Sequence, residues 1–258
     1  MKKWVLLMFI SIHVLGYSQG KKGFYGYINT GYKFGSVYTT FPNEYIVTGD
    51  KISNSYIRFG GGNNITGAFG WMIHDNFGME VSSTYTLGKE KEISNGNVVN
   101  NNLDKITKTA CSNNIHAVGS FVAQASVANF KLYAKAGVVI GFYNRTTITD
   151  QFQLNGTALF YAYNYEGTIM RGFNGSLGIL YPLGKHLSLM VEAEEVSIQG
   201  SFKSAQLSSN NTGGELPQEL IYMDDISKMT NTSSTYYLRS FPISYSCIGL
   251  NVGLHYAF

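Results

Sequence analysis

The sequence predicts an all-β fold, an eight-stranded antiparallel up-and-down transmembrane β-barrel with short turns at one end and long connections at the other. Three observations predict it. Segments of about ten residues alternate apolar and polar side chains with a period of two. The connections between these segments alternate between short and long. The first residues form an export signal, and no later apolar run reaches the length of a membrane helix.

The clearest alternating segment is 248–258, at the end of the chain. One of its faces carries Ile248, Leu250, Val252, Leu254, Tyr256 and Phe258. The other face carries Gly249, Asn251, Gly253, His255 and Ala257. An apolar face opposite a small and polar one is typical of a strand between lipid and a narrow lumen. The same contrast marks five earlier segments: 64–73, 77–87, 130–142, 173–181 and 187–194. Two further segments, 24–34 and 115–124, alternate less cleanly.

The connections between the eight segments differ in length and composition. Tight turns carrying Asn, Asp, Pro or Gly are predicted at 74–76, 126–129 and 182–186. The other connections are long and rich in Ser, Thr, Asn and charged residues: 35–58, 88–112, 144–165 and 200–237. Outer-membrane barrels have short periplasmic turns and long extracellular loops, so we expect both termini to be periplasmic. Residues 201–235 are long enough for an extra hairpin, which leaves the strand count open there.

Residues 1–18 form the predicted secretory signal peptide, and residues 19–258 form the barrel domain. Lys2 and Lys3 precede an apolar run over 4–15, and Gly16-Tyr17-Ser18 is a small-x-small cleavage site. An uncleaved membrane helix is the alternative, but the apolar run is short for a span of ~20 residues. After export a disulfide between Cys111 and Cys247 is permitted. The two cysteines fall on strands that are not neighbours, which disfavours that bond.

The composition also bears on partners and on the class of β-protein. Charged residues are only 14% of the chain, and the net charge of +3 is spread along it, so no basic run predicts nucleic-acid binding. A secreted soluble barrel or sandwich is the structural alternative, with apolar faces turned inward. Its outer face would be built from Gly, Ser, Asn and Ala, which is poorly charged for a surface in water.

The C-terminal residues Asn251-Val252-Gly253-Leu254-His255-Tyr256-Ala257-Phe258 resemble the signal by which outer-membrane barrels are recognised for assembly. That signal places a polar residue, a glycine and two aromatic residues at the positions of Asn251, Gly253, Tyr256 and Phe258. The mature chain resembles the small barrels of the OmpA and OmpX type in its architecture. The resemblance implies an integral protein of a Gram-negative outer membrane. Its expected partners are outer-membrane lipid, lipopolysaccharide and the barrel-assembly machinery, and a monomer is expected.

Six charged residues are predicted to face the lumen: Lys33, Glu80, Lys131, Lys135, Glu192 and Glu194. Counting from the short turns places Lys135 and Glu192 at a similar height, so an ion pair across the lumen is expected. We interpret these charges as a structural plug, because eight strands leave room for little beyond side chains. A gate or small-solute constriction is the alternative. Glu194 and Glu195 have a second possible place, at the outer interface.

The sequence predicts no catalytic site, cofactor or metal. Of the five histidines, only His116 is expected to face inward in the half of the barrel near the long loops, and no serine can be paired with it by spacing alone. The predicted function is therefore that of an integral outer-membrane protein with a plugged lumen, acting structurally or by binding and adhesion through its loops. A narrow porin-like channel and a lipid-modifying enzyme are the two alternatives.

Overall fold

A computed structural model describes residues 23–48, 51–96, 103–154, 157–213, 216–224, 231–232 and 234–258. The predicted signal peptide at 1–18 and the predicted mature N-terminus at Gln19 lie outside these residues, so the export signal stays a prediction. Within the described residues the chain is built of β-strands and turns, and no helix there is long and apolar enough to span a membrane. The all-β prediction is confirmed.

Fifteen strands are present in the described part of the chain. In order they are β1 (Gly23–Gly35), β2 (Thr39–Thr48), β3 (Lys51–Ile57), β4 (Gly62–Met72), β5 (Phe77–Gly88), β6 (Lys91–Gly96), β7 (Leu103–Val127), β8 (Phe130–Leu154), β9 (Thr157–Gly167), β10 (Met170–Pro182), β11 (Leu187–Asn210), β12 (Glu219–Met223), β13 (Thr235–Arg239), β14 (Pro242–Ser244) and β15 (Cys247–Ala257). All pairings are antiparallel except β12 with β13.

Eight of the strands pair into a closed sheet. Strand β1 pairs with β4, β4 with β5, β5 with β7, and β7 with β8. Strand β8 then pairs with β10, β10 with β11, β11 with β15, and β15 with β1. Each of the eight therefore has two neighbours, and no edge is left unpaired around the ring. We call the end with turns at 73–76, 128–129 and 183–186 the turn end, and the opposite end the hairpin end.

The register around the ring gives its dimensions. Starting from Leu187 on β11, successive partners across β15, β1, β4, β5, β7, β8 and β10 lead back to β11 at Ser197. The return is ten residues beyond the start, which is the shear of the closed sheet. With eight strands, rises of ~3.3 Å and spacings of ~4.8 Å, this shear implies a strand tilt of about 40° and a radius of about 8 Å.

The outward face of the closed sheet is apolar between two bands of aromatic residues. Ile28, Val81 and Leu250 are exposed by 62–66% of their surface. The aromatic band at the turn end contains Phe24, Trp71, Phe77, Tyr181, Tyr256 and Phe258. The band at the hairpin end contains Phe34, Tyr85, Phe142, Tyr143 and Phe173. From Phe77 to Leu87 on β5 the tilted strand rises about 25 Å, which is the height of the apolar band in outer-membrane barrels.

The connections at the hairpin end are largely β-structure, so the prediction of loops at 35–58, 88–112, 144–165 and 200–237 was wrong in its secondary structure. Strands β7 and β8 continue together up to the pairing of Leu103 with Leu154, and β9 joins β8 to β11. Strands β12 and β13 extend the same sheet, and β2 pairs with β3 separately. We call the part of β7, β8 and β11 beyond the aromatic band, together with β9, β12 and β13, the distal sheet.

Candidate functional site

The interior of the closed sheet contains a buried ionic cluster near its middle. Lys135 Nζ lies 3.0 Å from Glu80 Oε1 and 2.9 Å from Glu192 Oε2. The three side chains come from β8, β5 and β11, where the two-residue period turns them inward, and all three are buried. The expected pair of Lys135 and Glu192 is thus present, and Glu80 joins it.

Hydroxyl groups surround this cluster and complete its hydrogen bonds. Tyr25 and Tyr27 donate to Glu80 at 2.8 and 2.7 Å, and Lys135 donates to the Tyr27 oxygen at 2.8 Å. Tyr133 and Ser176 each donate to Glu192 Oε2 at 3.1 Å. We call these seven residues the tyrosine–carboxylate cluster. The tyrosines were not predicted from the sequence, although their inward parity on β1 and β8 is visible in it.

A second ion pair lies nearer the hairpin end. Lys33 Nζ is 3.0 Å from Glu194 Oε2, and both side chains are almost completely buried. Asn174 donates to Glu194 Oε1 at 2.8 Å, and Asn251 donates to Glu194 Oε2 at 3.3 Å. Glu194 therefore faces the interior, whereas its neighbour Glu195 is exposed on the outward face. The alternative that placed Glu194 at the outer interface does not match this position.

Lys131 is the predicted interior residue that lies apart from both ion pairs. It is exposed at the turn end, where it lines the rim of a cavity. The six predicted charges are therefore distributed over three levels: Lys131 at the rim, Glu80, Lys135 and Glu192 in the middle, and Lys33 with Glu194 above.

An apolar cluster fills the interior at the hairpin end. Met170, Val196, Phe202, Ile243 and Tyr245 are each exposed by 1% or less. Their neighbours in the same cluster are Ile57, Phe59, Ala110, Val118, Val139, Ile148, Ile198 and Cys247. We call this the distal apolar cluster. The cluster was not predicted from the sequence, because its members come from seven separate strands and from segments assigned to loops.

The terminal motif is divided between the two faces of β15. Asn251 points inward and accepts a hydrogen bond from Asn64 Nδ2 at 3.0 Å. Gly253 leaves no room for a Cβ, which would overlap the carbonyl oxygen of Ile28. Tyr256 and Phe258 face outward and their rings lie 5.2 Å apart, edge to face. The four residues of the motif therefore contribute to the pairing with β1 and to the aromatic band, and their role as an assembly signal stays a prediction.

The interior also contains His116, the histidine that the sequence predicted to face inward. His116 is buried, and its Nδ1 lies 3.2 Å from Asn114 Oδ1. Among the described residues, no three His, Cys, Asp or Glu side chains form a group that could hold a metal ion. Cys111 and Cys247 are free thiols.

The outward face of the distal sheet is largely polar, and the exposed Phe160 of β9 is an apolar residue on it. Arg145, Thr147, Thr149 and Gln151 alternate along β8 on this face, and Thr147 donates to Asn164 Oδ1 of β9 at 2.8 Å. The opposite face carries Ile148 and Tyr163, which are buried. The distal sheet is thus a regular β-surface that presents hydroxyl, amide and guanidinium groups to water.

No family model matches the chain, and no curated protein matches it either. Solved structures do show similarity. Neisserial surface protein A is 11% identical with a TM-score of 0.37, covering 92% of this chain and 97% of that one. Ail, the attachment invasion locus protein of Yersinia pestis, is 10% identical with a TM-score of 0.35, covering 92% and 99%. The outer membrane protease OmpT of Escherichia coli is 10% identical with a TM-score of 0.38, covering 92% and 97%. The chain is thus similar to bacterial outer-membrane β-barrel proteins, which differ among themselves in activity.

Proposed function

We propose that the chain is an integral outer-membrane protein of a Gram-negative bacterium, an eight-stranded β-barrel with both termini periplasmic and a closed lumen. It acts through the distal sheet, as a structural, adhesive or partner-binding surface. The observation that carries the proposal is the arrangement of the two faces of the closed sheet. Apolar side chains face outward over about 25 Å between aromatic bands, and ion pairs face inward.

A soluble barrel would have the opposite arrangement. If this chain were soluble, Val81, Leu177 and Leu250, which are exposed by 62–67%, would be in contact with water, and Lys33 and Glu194 would still be buried inside. Placing apolar area in water is unfavourable by roughly 25 cal/mol per Å², and lipid removes that penalty. In hydrocarbon every backbone group must be paired, which the ring of eight strand pairs achieves.

Two features support a closed lumen. The tyrosine–carboxylate cluster crosses the interior from β1, β5, β8 and β11, and the distal apolar cluster fills the hairpin end. A radius of about 8 Å to the strand backbones is filled by such side chains. A conducting pore would need both clusters to move.

The distal sheet supports the idea of a surface function. The paired strands β7 and β8 continue for about twelve residues beyond the aromatic band, or roughly 40 Å of extended chain. Hairpins of this length carry the outer part of the polar face, with Thr149 and Gln151, beyond the headgroups, whereas Arg145 lies two residues from the aromatic band. Binding residues are commonly found on such segments at the rim of a rigid scaffold.

The location is tested with the purified, refolded protein and with cells. A folded barrel is expected to migrate faster on a detergent gel before boiling than after it, and surface-added protease should cleave only the distal sheet. A single heat-independent band, or cleavage at the turn end in intact cells, would contradict the proposal.

Planar-bilayer recordings separate the closed lumen from the porin-like alternative. We expect no reproducible unitary conductance from the wild-type protein, and a steady conductance would replace the closed-lumen proposal with a channel. The lipid-modifying alternative predicts a new lipid A species in mass spectra on expression, and we expect the spectra to be unchanged.

A further inference from the structure

The turn end of the closed sheet contains a cavity of about 140 Å³. Its rim is formed by Phe24, Gln124, Lys131 and other residues at the strand ends. Its apolar wall consists of Met72, Val122, Leu180 and Met190. Its inner end is formed by Glu80 and Lys135. The cavity therefore leads from the turn end along an apolar wall to the tyrosine–carboxylate cluster.

The inner end of this cavity carries a surplus negative charge. Glu80 and Glu192 share a single ammonium group, that of Lys135. Each carboxylate accepts hydrogen bonds from two hydroxyl groups as well as from that ammonium. Two carboxylates against one ammonium leave a net charge of −1. Because the group is buried, salt and water screen it weakly.

The positive charge at the rim has a different environment. Lys131 is exposed, so water screens its ammonium, and its flexible stem allows the head group to turn away from the opening. The electrostatic preference of the cavity is therefore set by its inner end.

The inner end already holds one alkylammonium in a partly aromatic environment. Lys135 Nζ lies 4.3 Å from the ring centroid of Tyr27 and 5.0 Å from that of Tyr133. The ring of Tyr25 lines the same cavity and stacks on His255, with centroids 4.9 Å apart. Aromatic faces and carboxylates together are the chemistry that binds organic cations.

We propose that this cavity binds a small organic cation with an apolar body, with its ammonium group toward Glu80 and Tyr25 and its alkyl chain along Leu180 and Met190. A cavity of ~150 Å³ holds a ligand of benzene size, so a six-carbon amine matches the space. The site goes beyond the proposed function, because it opens at the turn end and uses no residue of the distal sheet.

The proposal is tested by calorimetric titration of refolded protein in a non-ionic detergent with hexylammonium, hexanol and hexanoate. The three probes share an apolar body and differ in the head group. We expect hexylammonium to bind about tenfold more tightly than hexanol, and hexanoate to bind most weakly. Equal binding of hexylammonium and hexanol would reduce the site to an apolar void, and tighter binding of hexanoate would assign control to Lys131. Absence of binding by all three would also overturn the proposal.

Two variants and a matched control locate the site. Leu180→Trp fills the cavity, changes no charged residue and is expected to abolish hexylammonium binding. Glu80→Gln removes the surplus charge and should bring hexylammonium and hexanol to within about twofold. Thr147→Ala, on the distal sheet, should bind like the wild type. The heat-dependent gel shift checks that each variant is folded, and Glu192→Gln replaces Glu80→Gln if the latter does not fold. Undiminished binding to folded Leu180→Trp would contradict this location.

Discussion

Strand β8 has a lower part, between the turn end and the aromatic band of the hairpin end, and an upper part, in the distal sheet. The two parts belong to one continuous strand but carry opposite patterns of apolar and polar side chains. Between Tyr133 and Gly141 the inward positions include Lys135, and the outward positions include Val138 and Ile140. Above this level Ile148 is buried on the inner side, and Thr147 and Gln151 face outward. The change coincides with an irregularity in the β7–β8 pairing, where two successive outward residues on β8, Phe142 and Tyr143, sit opposite the step from His116 to Ile115.

The surroundings, and not the strand itself, therefore decide which side chains a face carries. In the proposed membrane placement, the outside is hydrocarbon at the level of the apolar band, whereas the narrow interior is polar. In the distal sheet the outside is water, so apolar side chains collect on the inner face. The bulge at Phe142 and Tyr143 places an extra aromatic residue on the outward face, at the level where that face changes from apolar to polar.

The largest expected effect is on the tyrosine–carboxylate cluster of the lower part. Lys135→Met leaves Glu80 and Glu192 buried without a cation and should lower the free energy of unfolding by about 3 to 5 kcal/mol. Urea titration of refolded protein in lipid vesicles measures this change. The triple variant that adds Glu80→Gln and Glu192→Gln should recover most of the loss. A loss of equal size in the triple variant would show that packing, and not charge, is responsible.

A comparable loss is expected from the distal apolar cluster, but confined to the upper part. Phe202→Ala removes a ring that is 1% exposed and contacts Tyr165 at 4.6 Å between centroids. The expected penalty is about 3 kcal/mol for the distal sheet. Protease digestion of vesicle-embedded protein should cut the distal hairpins faster while the protected barrel fragment keeps its size. Loss of that fragment would mean that the two parts unfold together.

A matched pair of substitutions places the same charge on the outward face of both parts. Val252→Arg puts a guanidinium group near the middle of the apolar band and should destabilise the protein by about 2 to 4 kcal/mol. Thr147→Arg puts it on the water-exposed face of the distal sheet, where a change within about 0.5 kcal/mol is expected. Equal effects of the two substitutions in urea titrations would contradict the difference in surroundings.

The smallest equilibrium effect is expected at the terminal aromatic residue. Phe258→Ala removes a ring that packs at 5.2 Å from Tyr256 and 6.5 Å from Phe69, a loss of about 1 kcal/mol. The yield of folded protein in the outer-membrane fraction should fall by more than this loss of stability explains, because Phe258 also belongs to the predicted assembly signal. Pulse-chase fractionation measures this yield, and Tyr181→Ala on the same aromatic band is the control.

The sequence was most informative where only one face of a strand carries apolar side chains. The inward residues Asn251 and Gly253 of segment 248–258 could be assigned from parity alone. The ion pair of Lys135 and Glu192 needed parity together with the count of residues from the short turns. The distal strands could not, because Thr, Asn, Ser and Tyr occupy both faces and give no apolar period. The distal apolar cluster depends on tertiary contacts between Ile57, Phe202 and Tyr245 that no local pattern reveals.

The pairing of β1 with β15 joins strands that are far apart in the sequence. Eleven residues of the first strand, from Tyr25 to Gly35, pair with the last strand of the chain. In a chain that is delivered from its N-terminus, one edge of β1 stays unpaired until β15 follows, and an unpaired strand edge readily joins other chains. Pairing of β15 with β1 removes this edge, so we expect copies of the chain that lack this pairing to associate with one another.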